Sequence, residues 1–386
     1  MPKTIAATSE VAAVFDDRGG DHLLITFAPL DFQCATDEFW GQQFAGKAGF
    51  SAIGFVPRRN NWYPAADMHR LITELEKNLQ RFPYRISYGS SMGAYGALKY
   101  SRRLGVSTAV TFGAQTSIDP GDGIVDTAYT RYFQNALHEQ MSIKSQDVAE
   151  NAHLFFDPQI DFDLQNAARI MAAAPHLKTI PLPYAGHDCI KIAAGTVSMA
   201  RLILACLEGD LANVKSLARG MRANSGARLS GIAQALAPRR PDCAQRLVDN
   251  RRDAMDGKQA GLCHDALANA YLRLNDLPNA LAAAAAAYRL LPARSSIVRT
   301  RAVCLEKAGQ LEESVQFYER YNHLNPHDGL VRNSLARCYL RLGRLALARE
   351  TSQIARSLQP EHPSVIACAA AINAAIDKAD ADRTDV

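Results

Sequence analysis

A serine framed by two glycines is the first feature of this sequence that could carry out chemistry. A β-rich segment from Tyr84 to Tyr88 leads into Gly89-Ser90-Ser91-Met92-Gly93, and a helical pattern rich in small residues begins directly afterwards. A side chain at the tip of so tight a turn sits on strained backbone, and the positions two before and two after it must be almost free of side chains. Gly89 and Gly93 meet that need, so Ser91 is the candidate nucleophile.

The composition is that of a folded protein with room for more than one core. The chain has 386 residues, of which 48% are hydrophobic and 21% charged, and no apolar run reaches the ~18 residues that a membrane span needs. The eight cysteines form no C-x-x-C pair, and the segment 1–10 lacks the apolar region of a secretory signal. Reduced, buried thiols are therefore expected, together with a cytoplasmic location.

Charge is distributed unevenly along the chain. Residues 1–211 carry 18 basic and 22 acidic side chains, a balance of −4, whereas residues 212–260 carry 10 and 4, a balance of +6. Residues 261–360 add 13 and 8, a balance of +5. The basic half shows no interleaving of aromatic and basic residues, so solvated helix faces explain it better than nucleic-acid binding, and no nucleic-acid partner is expected.

The elements that must position Ser91 are predicted from hydrophobic periodicity and turn residues. Two antiparallel strands joined by a hairpin turn at residues 17–21 come first, and helices then alternate with strands. The predicted strands cover 10–16, 22–28, 51–56, 84–88, 107–112, 153–156 and 176–182, and the predicted helices cover 36–46, 67–81, 92–104, 162–174 and 189–207. Residues 113–150 read as an insertion over a site. This alternation predicts a three-layer α/β sandwich with a mostly parallel sheet.

Residues 1–208 resemble an α/β-hydrolase domain of the serine hydrolase type. In that family a nucleophile, an acid and a histidine follow the fifth, the seventh and the eighth strand of the sheet, in this chain order. The resemblance implies Ser91 as the nucleophile and His187 as the base. The latter lies in Ala185-Gly186-His187-Asp188, which is similar to the Gly-His loop of the family.

The resemblance also implies an acid after the seventh strand of the family's sheet, which corresponds to the predicted strand 153–156, where three aspartates are available. Asp161 fits best, because it lies a few residues past the strand and is followed by the apolar Leu164 three positions later. Asp157 and Asp163 are the alternatives, and Asp163 could instead cap the next helix. The acid would fix the tautomer of His187 and stabilise the imidazolium form.

A tetrahedral oxyanion would need two preorganised N–H donors. By analogy with the family, the backbone N–H of Met92 is one of them. The second should come from the loop after the strand 22–28, which reads Phe27-Ala-Pro-Leu30. Since Pro29 has no N–H, Leu30 is the expected donor.

Four further residues are candidates for contact with a substrate. Arg58, Arg59 and Trp62 follow the strand 51–56, and Gln115 opens the insertion. Arginine binds carboxylate or phosphate in a fork geometry, so an anionic or sugar-like substrate is conceivable, although a solvated loop with Trp62 packed beneath it is the simpler interpretation. No metal-ligand spacing and no phosphate-binding glycine loop is present in the sequence, so neither metal nor cofactor is expected.

The second half of the chain carries a repeat of 34 residues. Pro292, Pro326 and Pro360 keep this spacing, and the small residues Ala280, Ser314 and Ala348 keep it as well. Residues 261–360 thereby resemble tetratricopeptide repeats, with residues 209–260 as a helical linker or degenerate repeats. A capping helix is expected to complete the region 261–376, and residues 377–386 are expected to form a flexible acidic tail.

These patterns together predict a serine hydrolase that acts on a carboxylic ester or thioester. The resemblance to tetratricopeptide repeats implies a groove that recruits a protein partner or mediates self-association. Two alternatives stay open at this stage. One is an acyltransferase that uses the same three residues, and the other is a non-catalytic adaptor that carries a relic hydrolase fold.

Overall fold

The computed structural model describes residues 2–123, 127–138, 140–223 and 225–384. The chain divides into two compact units, Met1–Arg228 and Leu229–Val386. The predicted boundary at residue 208 falls short of the observed division, because the helix after it buries Val214 and Ala218 in the core of the first unit.

The first unit is built on an eight-stranded, mostly parallel sheet. Its strands are β1 Lys3–Ala7, β2 Val11–Asp16, β3 His22–Phe27, β4 Ser51–Pro57, β5 Tyr84–Ser90, β6 Thr108–Phe112, β7 Ala152–Phe156 and β8 Lys178–Pro181. They lie in the order β1-β2-β4-β3-β5-β6-β7-β8, and β2 runs antiparallel to both of its neighbours, β1 and β4. The carboxyl ends of β3, β5, β6, β7 and β8 therefore meet at one edge of the sheet.

The hairpin predicted between the strands 10–16 and 22–28 is wrong, because β4 lies between their counterparts, β2 and β3. All six residues of β2 pair with β4, and β3 pairs with the other edge of β4. The turn that follows β2 instead wraps around the start of β4. There the backbone N–H of Arg18 donates to Ser51 Oγ at 3.0 Å, and Ser51 Oγ lies 3.1 Å from the carbonyl of Gly19. Strand β1 was not predicted at all.

Helices cover both faces of this sheet. They are α1 Gln42–Ala48, α2 Ala65–Glu74, α3 Glu76–Gln80, α4 Met92–Lys99, α5 Thr127–Thr130, α6 Asp161–Ala173, α7 Thr196–Glu208 and α8 Leu211–Ala223. Successive strand residues alternate between two cores, as Leu24 and Ile25 of β3 do. One core is shared with α2, α3, α4 and α6, and the other with α1, α7 and α8.

Several predicted helices have different bounds in the structure. The helix expected over 92–104 ends at Lys99, and that expected over 36–46 begins only at Gln42. The closing helix expected over 189–207 is a 3-10 turn, Cys189–Ala193, followed by α7. Gly195 separates the two at φ 104°, a backbone conformation that ends one element and lets the next begin.

The second unit is entirely helical among its described residues. Its helices are α9 Gly226–Leu236, whose first three residues precede the division, α10 Pro241–Asn250, α11 Gly257–Arg273, α12 Leu277–Leu290, α13 Ser295–Lys307, α14 Leu311–Leu324, α15 Gly329–Arg341, α16 Leu345–Leu358 and α17 Pro363–Thr384. Helices α12, α14 and α16 begin 34 residues apart, which confirms the predicted period in three helical hairpins. The repeated small residues are fully buried between helices.

The end of the chain differs from its prediction. Helix α17 continues through the expected acidic tail as far as Thr384, and residues 385–386 lie outside the described residues. Within the described part of the chain, no helix combines the length and the hydrophobicity that crossing a membrane requires.

Candidate active site

Ser91 sits on strained backbone where β5 meets α4. Its φ of 54° and ψ of −121° are rare for a residue with a side chain. The turn is held in place because the N–H of Ser91 donates to the carbonyl of Phe112, at the end of the neighbouring strand β6, at 2.8 Å. The side chain stays partly exposed at the carboxyl edge of the sheet. Such strain is characteristic of functional sites.

The glycines around Ser91 are there because no side chain would fit. A Cβ on Gly89 would lie 2.2 Å from the carbonyl oxygen of Gly93, and a Cβ on Gly93 would lie 2.1 Å from that of Phe27. A Cβ on Gly96 would lie 2.5 Å from the ring of Phe27. The first turn of α4 therefore packs directly on the backbone that leaves β3.

The imidazole of His187 bridges the serine and a buried carboxylate. Its Nε2 lies 3.0 Å from Ser91 Oγ, and its Nδ1 lies 2.7 Å from Asp163 Oδ1. A carboxylate only accepts hydrogen bonds, so Nδ1–H donates to Asp163 and Nε2 is left to accept the serine proton. The side chain of Asp163 is 1% exposed, against 27% for His187, so the acid is shielded from water while the base faces the site.

The aspartate in contact with His187 is Asp163, and the expectation for Asp161 is corrected. Asp161 is the first residue of α6 and its side chain is exposed. Asp163, one half-turn further, belongs to the buried face of α6 with Asn166, Ala167 and Ile170. The spacing of this face, i, i+3, i+4 and i+7, is that of a helix stripe directed inwards.

A second buried aspartate holds the loop that carries His187. Asp157, directly after β7, is 1% exposed. Its Oδ1 accepts from the backbone N–H groups of Gln159 at 2.9 Å and Tyr184 at 3.1 Å, and its Oδ2 accepts from that of Gly186 at 2.6 Å. Tyr184 and Gly186 have φ values of 64° and 78°. The carboxylate thus stabilises two left-handed residues next to His187. This positioning role was not predicted, although an acid between a buried strand and Pro158 was visible as a signal.

Gln115 gives Ser91 Oγ a second hydrogen-bond partner. The amide is fully buried, and its Nε2 donates to Ser91 Oγ at 3.2 Å. Its orientation is set by Trp62, because the indole Nε1–H can only donate and lies 3.3 Å from Gln115 Oε1. Trp62 itself is 0% exposed. Its predicted contact with a substrate is therefore corrected to a supporting contact behind Gln115.

The two expected oxyanion donors stay predictions. Met92 is the first residue of α4, a position whose N–H has no acceptor within its own helix. Leu30 lies in the turn after β3 and is partly buried against the core. A Cβ on Gly93 would come within 3.1 Å of the carbonyl carbon of Ala28, so this turn starts beside Ser91.

The two arginines expected near a substrate differ in their contacts. Arg59 forms a two-pronged ion pair with Glu10, with Nη2 at 2.8 Å and Nε at 3.0 Å from its two oxygens. Because the charge of Arg59 is already balanced, its predicted role in binding an anion is not supported. Arg58 is exposed, and its contact with a substrate stays a prediction.

Aromatic rings flank the site on the side of the insertion. The ring of Trp62 lies 5.3 Å from that of Tyr132 and 5.8 Å from that of Tyr129. Tyr129 stacks on Phe162 at 5.1 Å, and the ring of Phe162 lies 6.4 Å from that of His187. The insertion thus contributes an apolar wall. Among the described residues no group of three or more acidic, histidine or cysteine side chains could hold a metal ion.

No protein-family model matches the sequence, and no curated protein is significantly similar to it. Solved structures with partial likeness include MamA of AMB-1, with 17% identity, 39% of this chain and 88% of that chain covered, and a TM-score of 0.35. Another is YrrB, a TPR protein with an unusual peptide-binding site, with 15% identity, coverage of 46% and 93%, and a TM-score of 0.34.

A further partial likeness is to the capsule O-acetyltransferase of Neisseria meningitidis serogroup A. The identity is 12%, the coverage is 53% of this chain and 93% of that chain, and the TM-score is 0.40. With TM-scores below 0.5, none of these likenesses carries weight for the activity of this chain.

Proposed function

We propose that this protein is a serine hydrolase of the α/β-hydrolase type, which cleaves a carboxylic ester or thioester through Ser91, His187 and Asp163. One observation carries the proposal: a partly exposed serine on strained backbone is joined through an imidazole to a buried carboxylate, with contacts of 3.0 and 2.7 Å. Three groups in this order form the apparatus that turns a hydroxyl into a nucleophile.

The strand order supports the assignment of the fold. A mostly parallel sheet in the order β1-β2-β4-β3-β5-β6-β7-β8, with β2 antiparallel, fits the resemblance that the sequence bears to α/β-hydrolases. The nucleophile follows β5, the acid follows β7 and the histidine follows β8. This is the chain order that the resemblance implies.

The reaction would run in two steps with the serine as covalent carrier. Ser91 Oγ attacks the acyl carbon while its proton passes to Nε2 of His187, and Asp163 stabilises the resulting imidazolium. When the C–O bond of an ester or the C–S bond of a thioester breaks, the leaving alcohol or thiol takes that proton from His187. Water, deprotonated by the same nitrogen, then attacks the acyl-Ser91 ester, and the acid is released as the serine recovers its proton. The backbone N–H groups of Met92 and Leu30 would stabilise the oxyanion in both steps.

Labelling with an active-site-directed fluorophosphonate tests the proposal without knowledge of the substrate. We expect wild type to be labelled, Ser91→Ala to be inert, and the adjacent Ser90→Ala to be labelled as wild type is. Folded wild-type protein that takes up no label would overturn the enzyme assignment and favour a non-catalytic adaptor. If the labelled serine is confirmed, the partition of an acyl-Ser91 intermediate between water and added alcohols would separate hydrolysis from acyl transfer.

The helical hairpins of residues 261–376 are proposed to recruit a protein partner or to mediate self-association. Their support is the 34-residue period, which is typical of repeats that present a continuous binding surface. Light scattering of the full-length chain over a range of concentrations tests self-association. A mass that rises with concentration would support it, whereas a constant monomer mass would leave recruitment of another protein as the proposal.

A further inference from the structure

A cavity lies on the other face of the sheet from the aromatic wall, between α1 and α7. Its volume is about 650 Å³, within the range of sites that bury a small ligand. The lining comes from the segment between β3 and α1, from Tyr88 of β5, and from the residues around the start of α7. We name it the Trp40–Tyr88 cleft after the two rings that form its wall.

The wall of this cleft is flat and aromatic. The rings of Trp40 and Tyr88 stack with centroids 4.9 Å apart and an angle of 23° between their planes. Phe44 tilts against Tyr88 at 5.9 Å, and the buried Met199 of α7 lines the same space. Flat π-surfaces of this kind favour a planar ring as their neighbour.

One polar group in the cleft lacks a partner. Tyr88 is 4% exposed and lines the cleft. Its hydroxyl forms no hydrogen bond with any residue that the structure describes, whereas the buried hydroxyls of Tyr63, Tyr95 and Tyr100 each donate to a backbone carbonyl. Burial raises the pKa of Tyr88, so the hydroxyl keeps its proton and stays a donor. The hydroxyl is therefore available to donate to a ligand in the cleft or to water.

The charges of the cleft lining balance once the neighbouring Asp188 is counted. Lys47 and Lys191 are matched by Glu38, which is also in the lining, and by Asp188, whose Oδ2 lies 2.7 Å from Lys191 Nζ. No net charge therefore favours an anionic or a cationic occupant. A neutral molecule fits this lining best.

The cleft is close to the proposed catalytic residues along three parts of the chain. Tyr88 of β5 precedes Ser91 by three residues, so that the Cα atoms of the two residues are at most about 10 Å apart. Ile190, another lining residue, follows His187 by three residues. The segment that begins at Phe32 continues the turn of Leu30 beside Ser91. Three parts of the lining thus lie within a few residues of the proposed catalytic residues or oxyanion donors along the chain.

We propose that the Trp40–Tyr88 cleft binds a neutral aromatic half of the ester substrate, with its ring against Trp40 and a hydrogen-bond acceptor facing the hydroxyl of Tyr88. The link to catalysis rests on the proposed function. The binding does not, because it can be measured when Ser91 is absent.

Cys34 provides a native reporter for this binding. Its thiol is exposed and lies in the lining of the cleft. In full-length Ser91→Ala, we expect methyl 2-naphthoate, a neutral planar ester, to slow the reaction of Cys34 with a maleimide in a saturable way. The saturated-ring analogue, methyl decahydronaphthalene-2-carboxylate, should protect much more weakly. Peptide mapping identifies the modified cysteine.

Two substitutions make the test specific. Adding Trp40→Ala should raise the naphthoate concentration for half-protection by about tenfold, the upper value of an aromatic contact. Adding Tyr88→Phe should raise it by about fivefold, as expected for one neutral hydrogen bond. Tyr132→Phe, a matched change at the aromatic wall on the opposite side, should leave it unchanged. The absence of saturable protection would overturn the proposal, and so would protection that neither cleft substitution weakens.

The results separate this proposal from the proposed function. Protection of Cys34 in a protein that takes up no fluorophosphonate would support ligand binding in the cleft and contradict the proposed hydrolase function. Labelling of Ser91 without protection of Cys34 would support the proposed hydrolase function and contradict ligand binding in the cleft. If both succeed, Trp40→Ala should lower kcat/KM for 2-naphthyl acetate about tenfold relative to its effect on ethyl acetate.

Discussion

Oδ1 of Asp163 lies 2.7 Å from Nδ1 of His187, whereas Asp161, two residues earlier, has an exposed side chain at the start of the same helix. The two aspartates thus form a matched pair for testing the acid. If Asp163 fixes the tautomer of His187, Asp163→Asn should lower kcat by about 10⁴-fold with little change in KM. Asp161→Asn should stay within about twofold of wild type, as surface substitutions do. Steady-state turnover of a small ester and the rate of fluorophosphonate labelling measure both. The reverse ranking would reassign the acid.

The choice between these aspartates could have been made from the sequence with a different criterion. Ala167 and Ile170 are apolar residues of a predicted helix, and Asp163 precedes them by four and seven residues. It therefore lies on the inward stripe, while Asp161 lies off it. Distance from the strand end favoured Asp161, but helical periodicity decides which carboxylate faces the histidine.

Asp157 offers a test of how the histidine loop is held. An asparagine at this position would direct either an amide N–H₂ or a single remaining acceptor at the N–H groups of Tyr184 and Gly186. A buried donor left without its acceptor costs about 1–3 kcal/mol, so Asp157→Asn should fold but hold His187 less well. We expect kcat to fall by about 10- to 100-fold at constant KM, which is 1.4 to 2.7 kcal/mol of activation free energy by the relation of about 1.36 kcal/mol per tenfold change.

The matched control is Asp188→Asn, an exposed acid next to His187 that pairs with Lys191. It should leave kcat within about twofold, in the range of surface substitutions. Thermal unfolding gives the midpoint temperature of each variant, and kcat is measured well below it. A lower kcat then reports the position of His187 and not a loss of folded protein. Equal losses of kcat and of folded protein would contradict the positioning role.

Gln115 is expected to hold the serine hydroxyl in its productive orientation. Gln115→Leu removes one neutral hydrogen bond and should lower kcat/KM by about two- to tenfold. Gln115→Glu should lower kcat/KM further, because its carboxylate would accept the proton of Ser91 Oγ in competition with His187. We expect a loss of about 10- to 150-fold, the range for a hydrogen bond to a charged group. The deficit in kcat/KM of Gln115→Glu relative to wild type should become smaller as the pH falls, because the introduced carboxyl group is then protonated. Gln80→Leu, at an exposed position of helix α3, is the control. Equal activity of both Gln115 variants would contradict this account.

The local parts of the fold were predictable, and its long-range pairings were not. The strands and helices around Ser91 and the 34-residue period follow from residue spacing within short windows. The position of β4 between β2 and β3 depends on contacts such as Arg18 to Ser51, which are 33 residues apart and leave no local pattern. Strand β1 escaped prediction because its residues are only partly buried and do not alternate. The contacts of Arg59 with Glu10 were hidden for the same reason, since 49 residues separate them.

His153 in β7 gives a prediction for the pH dependence of stability. The side chain is 0% exposed, its Nε2 lacks a hydrogen bond among the described residues, and burial, helped by the positive charge of Lys178, lowers its pKa from 6.5 to about 4. At pH values between 4 and 6.5, the imidazole of His153 is protonated in the unfolded chain but neutral in the folded chain. The free energy of unfolding should therefore fall as the pH drops from 6.5 to 4, with a contribution of about 3 kcal/mol from this residue.

Substitution of this histidine should remove its share of the pH dependence. In His153→Leu, the loss of unfolding free energy between pH 6.5 and 4 should be about 3 kcal/mol smaller than in wild type. Denaturant unfolding followed by tryptophan fluorescence measures it, because both tryptophans, Trp40 and Trp62, belong to the first unit. The slope of the wild-type protein, measured under the same conditions, is the reference. If His153→Leu kept that slope, the buried imidazole would be protonated in the folded chain at pH 5, and another group would carry the acid sensitivity.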